Sequence, residues 1–253
     1  MAEKHFFEQR EFSRSYLIPY LKQNIPNFEQ QKILEVGCGE AGFLDILAEL
    51  DIDAVGLELE ESRVEIARQK NPLLNIQVGD ITDREILNFL GKNYDLIIMR
   101  DVIEHIPDRQ AAFTSMNKLL KVNGYLYITF PPRFSGFAGH QQNGKTLLSF
   151  VPFLHLFPEF LLRLLQKVFR ERPEVIQAVI QNYKIGLTIH SFNKFFRKSG
   201  FRLVKRDLFL SRPIYKIRFG VPALKIPNIP ILREFLASGC ECLLFKVKEE
   251  NPD

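Results

Sequence analysis

The chain has 253 residues, 46% hydrophobic and 25% charged, which is the composition of one large soluble α/β domain. Three cysteines make no disulfide framework, no Cys-x-x-Cys pair or histidine cluster points to a metal, and the charged opening Met1-Ala2-Glu3-Lys4-His5 is not a secretion signal, so a reducing cytoplasm is the expected compartment. The net charge of +4 hides an asymmetry: residues 1–130 carry 14 Lys/Arg against 21 Asp/Glu, while residues 131–253 carry 20 against 9. A basic half attracts anionic partners such as phosphorylated substrates, acidic lipid or nucleic acid.

Phe6 to Gln23 reads as an amphipathic helix with Phe12, Tyr16, Leu17 and Tyr20 as its apolar residues, kinked at Pro19. Five β–α units follow. Strands are expected near 33–36, 54–59, 75–79, 94–99 and 124–130, alternating with helices near 43–50, 61–70, 84–90 and 109–121. Asp108 is placed to cap the last of these helices. Such alternation implies a parallel sheet covered on both faces, with ligands at the carboxyl ends of its strands.

The first β–α junction is Ile33-Leu34-Glu35-Val36-Gly37-Cys38-Gly39-Glu40-Ala41-Gly42, an apolar run ending in Gly-x-Gly-x-x-Gly. Glycines there let backbone N–H groups approach a ligand closely. By itself the pattern serves a nicotinamide, a flavin or S-adenosylmethionine equally. Glu58 closes the second strand 21 positions after Gly37, where a carboxylate accepts hydrogen bonds from ribose hydroxyls.

Asn75 to Asp80 forms a third strand ending in an acid, and Tyr94 to Met99 a fourth, followed by Arg100-Asp101-Val102-Ile103-Glu104-His105-Ile106-Pro107. Pro131-Pro132 ends the fifth strand. A long insertion, about 133–189, then opens as a Gly-rich loop through His140 and continues as an apolar, Pro-broken stretch from Leu147 to Phe169. Ser191 can cap a helix over 192–198 closed by Gly200. Phe201 to Leu210 reads as a sixth strand and Glu241 to Lys248 as a seventh, with about thirty Pro-rich and basic residues between them.

This series resembles the class I S-adenosylmethionine-dependent methyltransferases over about Lys32 to Phe130, and more weakly to Lys248. The most specific matches are Glu35-Val36-Gly37-Cys38-Gly39, the strand-end acids Glu58 and Asp80, and Val102 to Pro107. The resemblance implies a Rossmann-like, seven-stranded, mostly parallel α/β sheet with helices on both faces and a helical insertion after strand five. The chain would be a single domain, with core about 25–132 and 190–248. The resemblance also implies that Gly37 and Gly39 lie against the methionine part of the cofactor, with Glu35 supporting that loop. Glu58 would bind the ribose with Leu59 beside it, and Asp80 would face the adenine amino group with Ile81 beside it. Arg100 would stand at the junction of cofactor and acceptor. A nicotinamide-dependent oxidoreductase would share Gly37, Gly39 and Glu58 but would not account for Asp80 together with Asp101 to Pro107. A non-enzymatic cofactor-binding protein on the same fold is the other alternative.

Methyl transfer needs an acceptor held in line and dry, and an oxygen or carbon acceptor can also need a base. His105, after the fourth strand, and His140, in the insertion, are the expected catalytic side chains; His155 and His190 are expected to be structural. The insertion should shape the acceptor pocket, bringing Phe134, Phe137 and His140 to the methyl group. The position after strand four is not Asn/Asp-Pro-Pro-aromatic, no Pro-Cys nucleophile is present, and no aromatic-basic RNA module is evident. The expected acceptor is therefore a small or lipid-linked molecule and not a nucleic acid. The apolar run Leu147–Leu165, followed by Lys167, Arg170 and Arg172, is either an interfacial helix touching anionic lipid at the inner membrane face or a buried lid. Its two prolines, His155, Glu159 and Arg163 exclude a membrane span.

Overall fold

A computed structural model describes residues 2–247. The N-terminal helical run is α1 (Ala2–Phe12), a π-helical turn (Ser13–Leu17) and α2 (Ile18–Asn24). The expected kink at Pro19 is thus realised as a wide turn just ahead of it. In a regular α-helix the Pro19 ring would press on the carbonyl of Ser15, which lies inside that turn.

The β–α units follow as β1 (Ile33–Val36), α3 (Gly42–Glu49), β2 (Ala54–Glu58), α4 (Glu61–Lys70), β3 (Ile76–Val78), α5 (Arg84–Leu90), β4 (Tyr94–Arg100), α6 (Arg109–Leu119) and β5 (Leu120–Phe130). Asp108 caps α6 as expected, its carboxylate accepting the Ala111 N–H. The insertion holds α7 (Glu159–Phe169) and α8 (Pro173–Ile185). The chain ends with α9 (Ile189–Lys198), β6 (Phe201–Ser211), α10 (Ile214–Phe219), β7 (Leu224–Lys225), α11 (Leu232–Leu236) and β8 (Gly239–Lys246). The last expected strand residue, Lys248, lies outside the described residues.

The sheet has eight strands, not seven, in the order β3-β2-β1-β4-β5-β8-β6-β7. The extra strand, β7, is a two-residue edge strand drawn from the long connection between β6 and β8. The first five strands are mutually parallel; β8 runs antiparallel to both β5 and β6. One face carries Leu34, Val36, Ile97, Met99 and Ile128 against α6 and α9. The other carries Ile33, Leu96, Ile98, Tyr127 and Leu243 against α2, α3 and α4. The insertion has a small core of its own, including Leu148, Leu154, Leu162, Ile176 and Val179.

Strand period two then places a row of polar side chains on the second face, at the carboxyl edge of the parallel strands. Glu58, Glu35 and Arg100 follow the apolar positions of β2, β1 and β4. Arg100 pairs in register with Thr129, Thr129 with Glu241, and Glu241 with Asp207. The order of strands reverses between β1 and β4, the place where open α/β sheets leave a crevice.

Candidate functional site

The glycine turn is held open by backbone geometry. Gly37 has φ +71° and Gly39 φ +60°, the left-handed region that glycine enters without a Cβ penalty. A Cβ on Gly37 would lie 2.2 Å from Val102 Cγ2, and one on Gly39 2.6 Å from the Arg63 guanidinium. Gln9 of α1 brackets the turn: its Oε1 accepts the Gly42 N–H at 2.8 Å and its Nε2 donates to the Cys38 carbonyl at 3.4 Å. His5 and Arg63 both meet Glu40, tying α1 and α4 to the same loop. Burial alone would raise the Glu40 carboxyl, but His5 and Arg63 more than offset it and hold it at about 2.

Glu58 is buried at the end of β2 and accepts three backbone N–H groups, from Gly39 at 2.7 Å, Leu59 at 2.9 Å and Glu60 at 3.1 Å. Leu59 beside it is exposed. Asp80 accepts the N–H and hydroxyl of Thr82, both at 2.8 Å, with Ile81 buried next to it. Glu35 is fully inside; burial pushes its carboxyl up and Arg100 opposes this. Arg100 donates to Oε1 at 2.6 and 3.2 Å, leaving Oε2 buried without a partner. The Arg100 guanidinium also lies over the rings of Phe12 and Phe43.

A cleft of about 230 Å³ opens between α1 and this polar row. Gly37, Arg100, Asp101, Val102, Thr129 and Glu241 form its sheet side, while Gln9, Phe12, Phe209 and Arg212 close it. Asp101, at φ +55°, is gripped by Arg212 at 2.5 and 2.7 Å. Partial desolvation at the cleft wall raises its carboxyl, but Arg212 and the Thr129 hydroxyl prevail and hold it below the ordinary value.

These groups fit S-adenosylmethionine. The turn is a cradle that a Cβ would fill, and the orphaned Glu35 Oε2 can accept from an ammonium, while the two Glu58 oxygens are engaged by the N–H groups of Gly39, Leu59 and Glu60 that shape the turn.

His105 and His140 come together, but outside the walls of this cleft. Their rings meet edge to face at 5.3 Å and line a cavity of about 10 Å³ with Glu104, Arg133 and Asn182. Glu104 is buried with both oxygens unpartnered, and burial, then Asp101, pushes its carboxyl well up. Burial depresses both histidines. One ligand atom from each of Glu104, His105 and His140 falls within 4.8 Å of the others, a grouping that could hold a cation and that sequence spacing did not reveal. Phe134 and Phe137 do not wall the larger cleft either; Phe134 stacks on Phe235 at 5.4 Å. The cover comes from α1 and the segment after β6, because Gln9 and Arg212 reach in from there.

His155 is buried with Nε2 at 2.9 Å from the Arg133 carbonyl, as expected of a structural histidine; His190 is exposed, and its backbone N–H donates to Glu234. Sequence reading missed Gln9, Arg63, Arg212 and Glu241. The one available signal was Glu241, an acid in the otherwise apolar strand Gly239-Cys240-Glu241-Cys242-Leu243-Leu244.

The profile of a methyltransferase-domain family matches residues 7–206. A ubiquinone biosynthesis O-methyltransferase of Acinetobacter baylyi is 26% identical over 140 residues, covering 54% of this chain and 53% of that protein. Phosphoethanolamine N-methyltransferase 3 of Arabidopsis thaliana is 35% identical over 104 residues, 39% of this chain and 21% of that protein. The chain spans about half the length of the first curated relatives it matches. Among solved structures, a methyltransferase of Archaeoglobus fulgidus superposes with TM-score 0.56 at 16% identity, covering 96% of this chain and 99% of that one. Magnesium protoporphyrin IX methyltransferase of Synechocystis, solved with S-adenosylhomocysteine bound, gives 0.54 at 14% identity, covering 95% and 84%. Those likenesses share the fold; the family profile and the glycine turn with its strand-end acids carry the assignment. The chain belongs to the class I S-adenosylmethionine-dependent methyltransferases.

Proposed function

We propose that the chain transfers a methyl group from S-adenosylmethionine to a small, lipid-linked acceptor seated in the 230 Å³ cleft. The observation that carries this reading is the continuity of the cleft, which runs from the glycine turn at Gly37 along the polar row to Glu241. Gly37 and Gly39 would take the methionine arm, with Glu35 accepting from its ammonium. Glu58 would hold the ribose, and Leu59, Asp80 and Ile81 would frame the adenine. Arg100, fixed by Glu35 and two aromatic rings, would mark the boundary between cofactor and acceptor. When bound, the cofactor supplies an electrophilic methyl group. The protein's part is to hold the acceptor in line and keep water out, and α1 does this by lying across the cleft.

Relatives named for ubiquinone and for phosphoethanolamine support a small-molecule acceptor. The insertion supports presentation at a lipid surface. On α7, Phe160, Leu164 and Val168 share one face at four-residue spacing and are 75%, 54% and 66% exposed, where a lid over the cleft would bury them. Leu147 and Phe150 are also exposed. No helix among the described residues is long and apolar enough to cross a membrane.

The test is incubation of the purified protein with methyl-labelled S-adenosylmethionine and a fractionated cell extract. Label in the organic-extractable small-molecule fraction, with equivalent S-adenosylhomocysteine, is expected. Label confined to protein or nucleic acid would overturn the acceptor class, and no S-adenosylhomocysteine with any fraction would leave a binding protein.

A further inference from the structure

Three carboxylates line the cleft, and two of them are matched to guanidinium groups: Glu8 to Arg218 at 2.9 Å and Asp101 to Arg212 at 2.5 Å. The third, Glu241, is in no ion pair among the described residues. It is met instead by two phenols. Tyr127 donates to its Oε2 at 2.9 Å, and Tyr16 reaches both oxygens at 3.1 Å. Tyr16 comes from the π-helical turn, a distortion that recurs at functional sites. Thr129, beside Glu241 in register, and Arg100, next along the same row, continue the cleft wall toward Gly37. A carboxylate without a fixed counter-charge can take a proton without breaking an ion pair.

We propose that Glu241 is the general base of this enzyme, taking the proton from a hydroxyl of the methyl acceptor. This rests on the reading that the cleft holds the acceptor. The acceptor oxygen's lone pair forms the new O–CH₃ bond, and the S–CH₃ bond breaks with its electron pair going to sulfur. The hydroxyl proton passes to a Glu241 carboxylate oxygen, and Tyr16 and Tyr127 remain as donors to the other lone pairs. Burial raises the Glu241 carboxyl to about 7 against the pull of the two tyrosine hydroxyls, which suits proton transfer near neutrality. Its other charged or titratable neighbours are Tyr20 from α2, Asp207 from β6, Lys225 from β7 and Cys242, the next residue of β8 to share its strand face's neighbourhood. Lys225 is paired with Asp207 at 2.9 Å and draws the Glu241 carboxyl down only from a distance, as the last and smallest of the influences on it.

The experiment uses the full chain, ¹³C-carboxyl-labelled at glutamate, with catechol, whose hydroxyls stay protonated well above pH 7, as the hydroxyl probe. Without cofactor, one carboxyl resonance should titrate near pH 7, vanish in Glu241→Gln, and shift saturably on adding catechol. In Tyr16→Phe, loss of a donor to the ionised form should move that titration to higher pH. With S-adenosylmethionine, Glu241→Gln should lower kcat for the probe about 100-fold and remove the rise in rate through pH 7, with cofactor affinity unchanged by calorimetry. A resonance that ignores the probe, a titration unmoved by Tyr16→Phe, or an unchanged kcat would each overturn the proposal. Failure of the wild-type protein to bind S-adenosylmethionine would instead count against the cofactor site.

Discussion

At the scale of single residues, the glycine turn and two buried acids make opposite demands. Gly37→Ala should abolish S-adenosylmethionine binding, because the new methyl would strike Val102 and the left-handed φ would be strained. Glu58→Ala should weaken binding by about 1–3 kcal/mol, the usual cost of losing a charge-assisted hydrogen bond. Calorimetry on the two variants checks both, and unchanged affinities would remove the cofactor from this turn. Glu40 and Glu241 separate by pH. Glu40 is held at about 2 when folded, below its ordinary 4.5, so its stabilisation is complete above pH 4.5 and is lost as pH falls toward 2. Glu241 is raised to about 7, so the folded state binds the extra proton, and stability from this group falls as pH rises from 4.5 to 7. Glu40→Gln should therefore lower the melting temperature at pH 7 and change it little near pH 2. Glu241→Gln should melt no lower than wild type at pH 8, its advantage shrinking toward pH 5. Thermal melts across that range decide both signs.

At the scale of elements, local patterning determined most of the sheet and little of the cover. The strands 33–36 and 94–100 and the helix 42–49 are apolar or amphipathic over most of their length, so their periods are readable one segment at a time. The helix expected from Ser191 begins a turn earlier. Thr188 caps it by accepting the Ser191 N–H at 3.0 Å, and Glu234 takes the N–H groups of Ile189 and His190. That distant carboxylate leaves no trace in the local sequence. The glycine turn and Glu58 were legible because their spacing is fixed by one β–α–β unit. Gln9, Arg212 and Glu241 reach the cleft from α1, the end of β6 and β8, and no spacing rule links those to Gly37. The amphipathic pattern of α7 is identical whether its apolar face is covered or bare, so only the fold distinguishes a lid from a surface helix. The role of α1 as cover is testable. Gln9→Ala removes both bonds that bracket the turn while leaving the apolar contacts of Phe6 in place. It should weaken S-adenosylmethionine binding about tenfold, equivalent to about 1.4 kcal/mol, a typical value for lost hydrogen bonds. A melting temperature lowered by many degrees with unchanged affinity would make Gln9 a purely structural clamp.

At the scale of the whole molecule, charge and apolar exposure coincide in sequence. The half of the chain after residue 130 carries 20 Lys/Arg against 9 Asp/Glu and also holds α7 with its bare Phe160, Leu164 and Val168. Apolar area and nearby cations add when a helix settles on anionic lipid, each basic side chain near the surface contributing about 1 kcal/mol at low salt. Arg163 is partly spent on Glu159 at 2.6 Å, which leaves exposed Lys167 in the last turn of the helix and exposed Arg170 immediately after it. Binding driven this way should be strong for vesicles rich in phosphatidylglycerol at low ionic strength, weak for phosphatidylcholine alone, and reduced severalfold by 0.5 M NaCl as the charges are screened. Phe160→Glu with Leu164→Glu should abolish flotation with acidic vesicles. Because both side chains are more than half exposed, the double variant should keep its melting temperature and its affinity for S-adenosylmethionine. Flotation that survives the double change would assign any lipid contact to another surface, such as the exposed Phe219 and Ile231. A wild-type protein that fails to float at low salt would detach the acceptor from the membrane, leaving the cleft to be filled from solution.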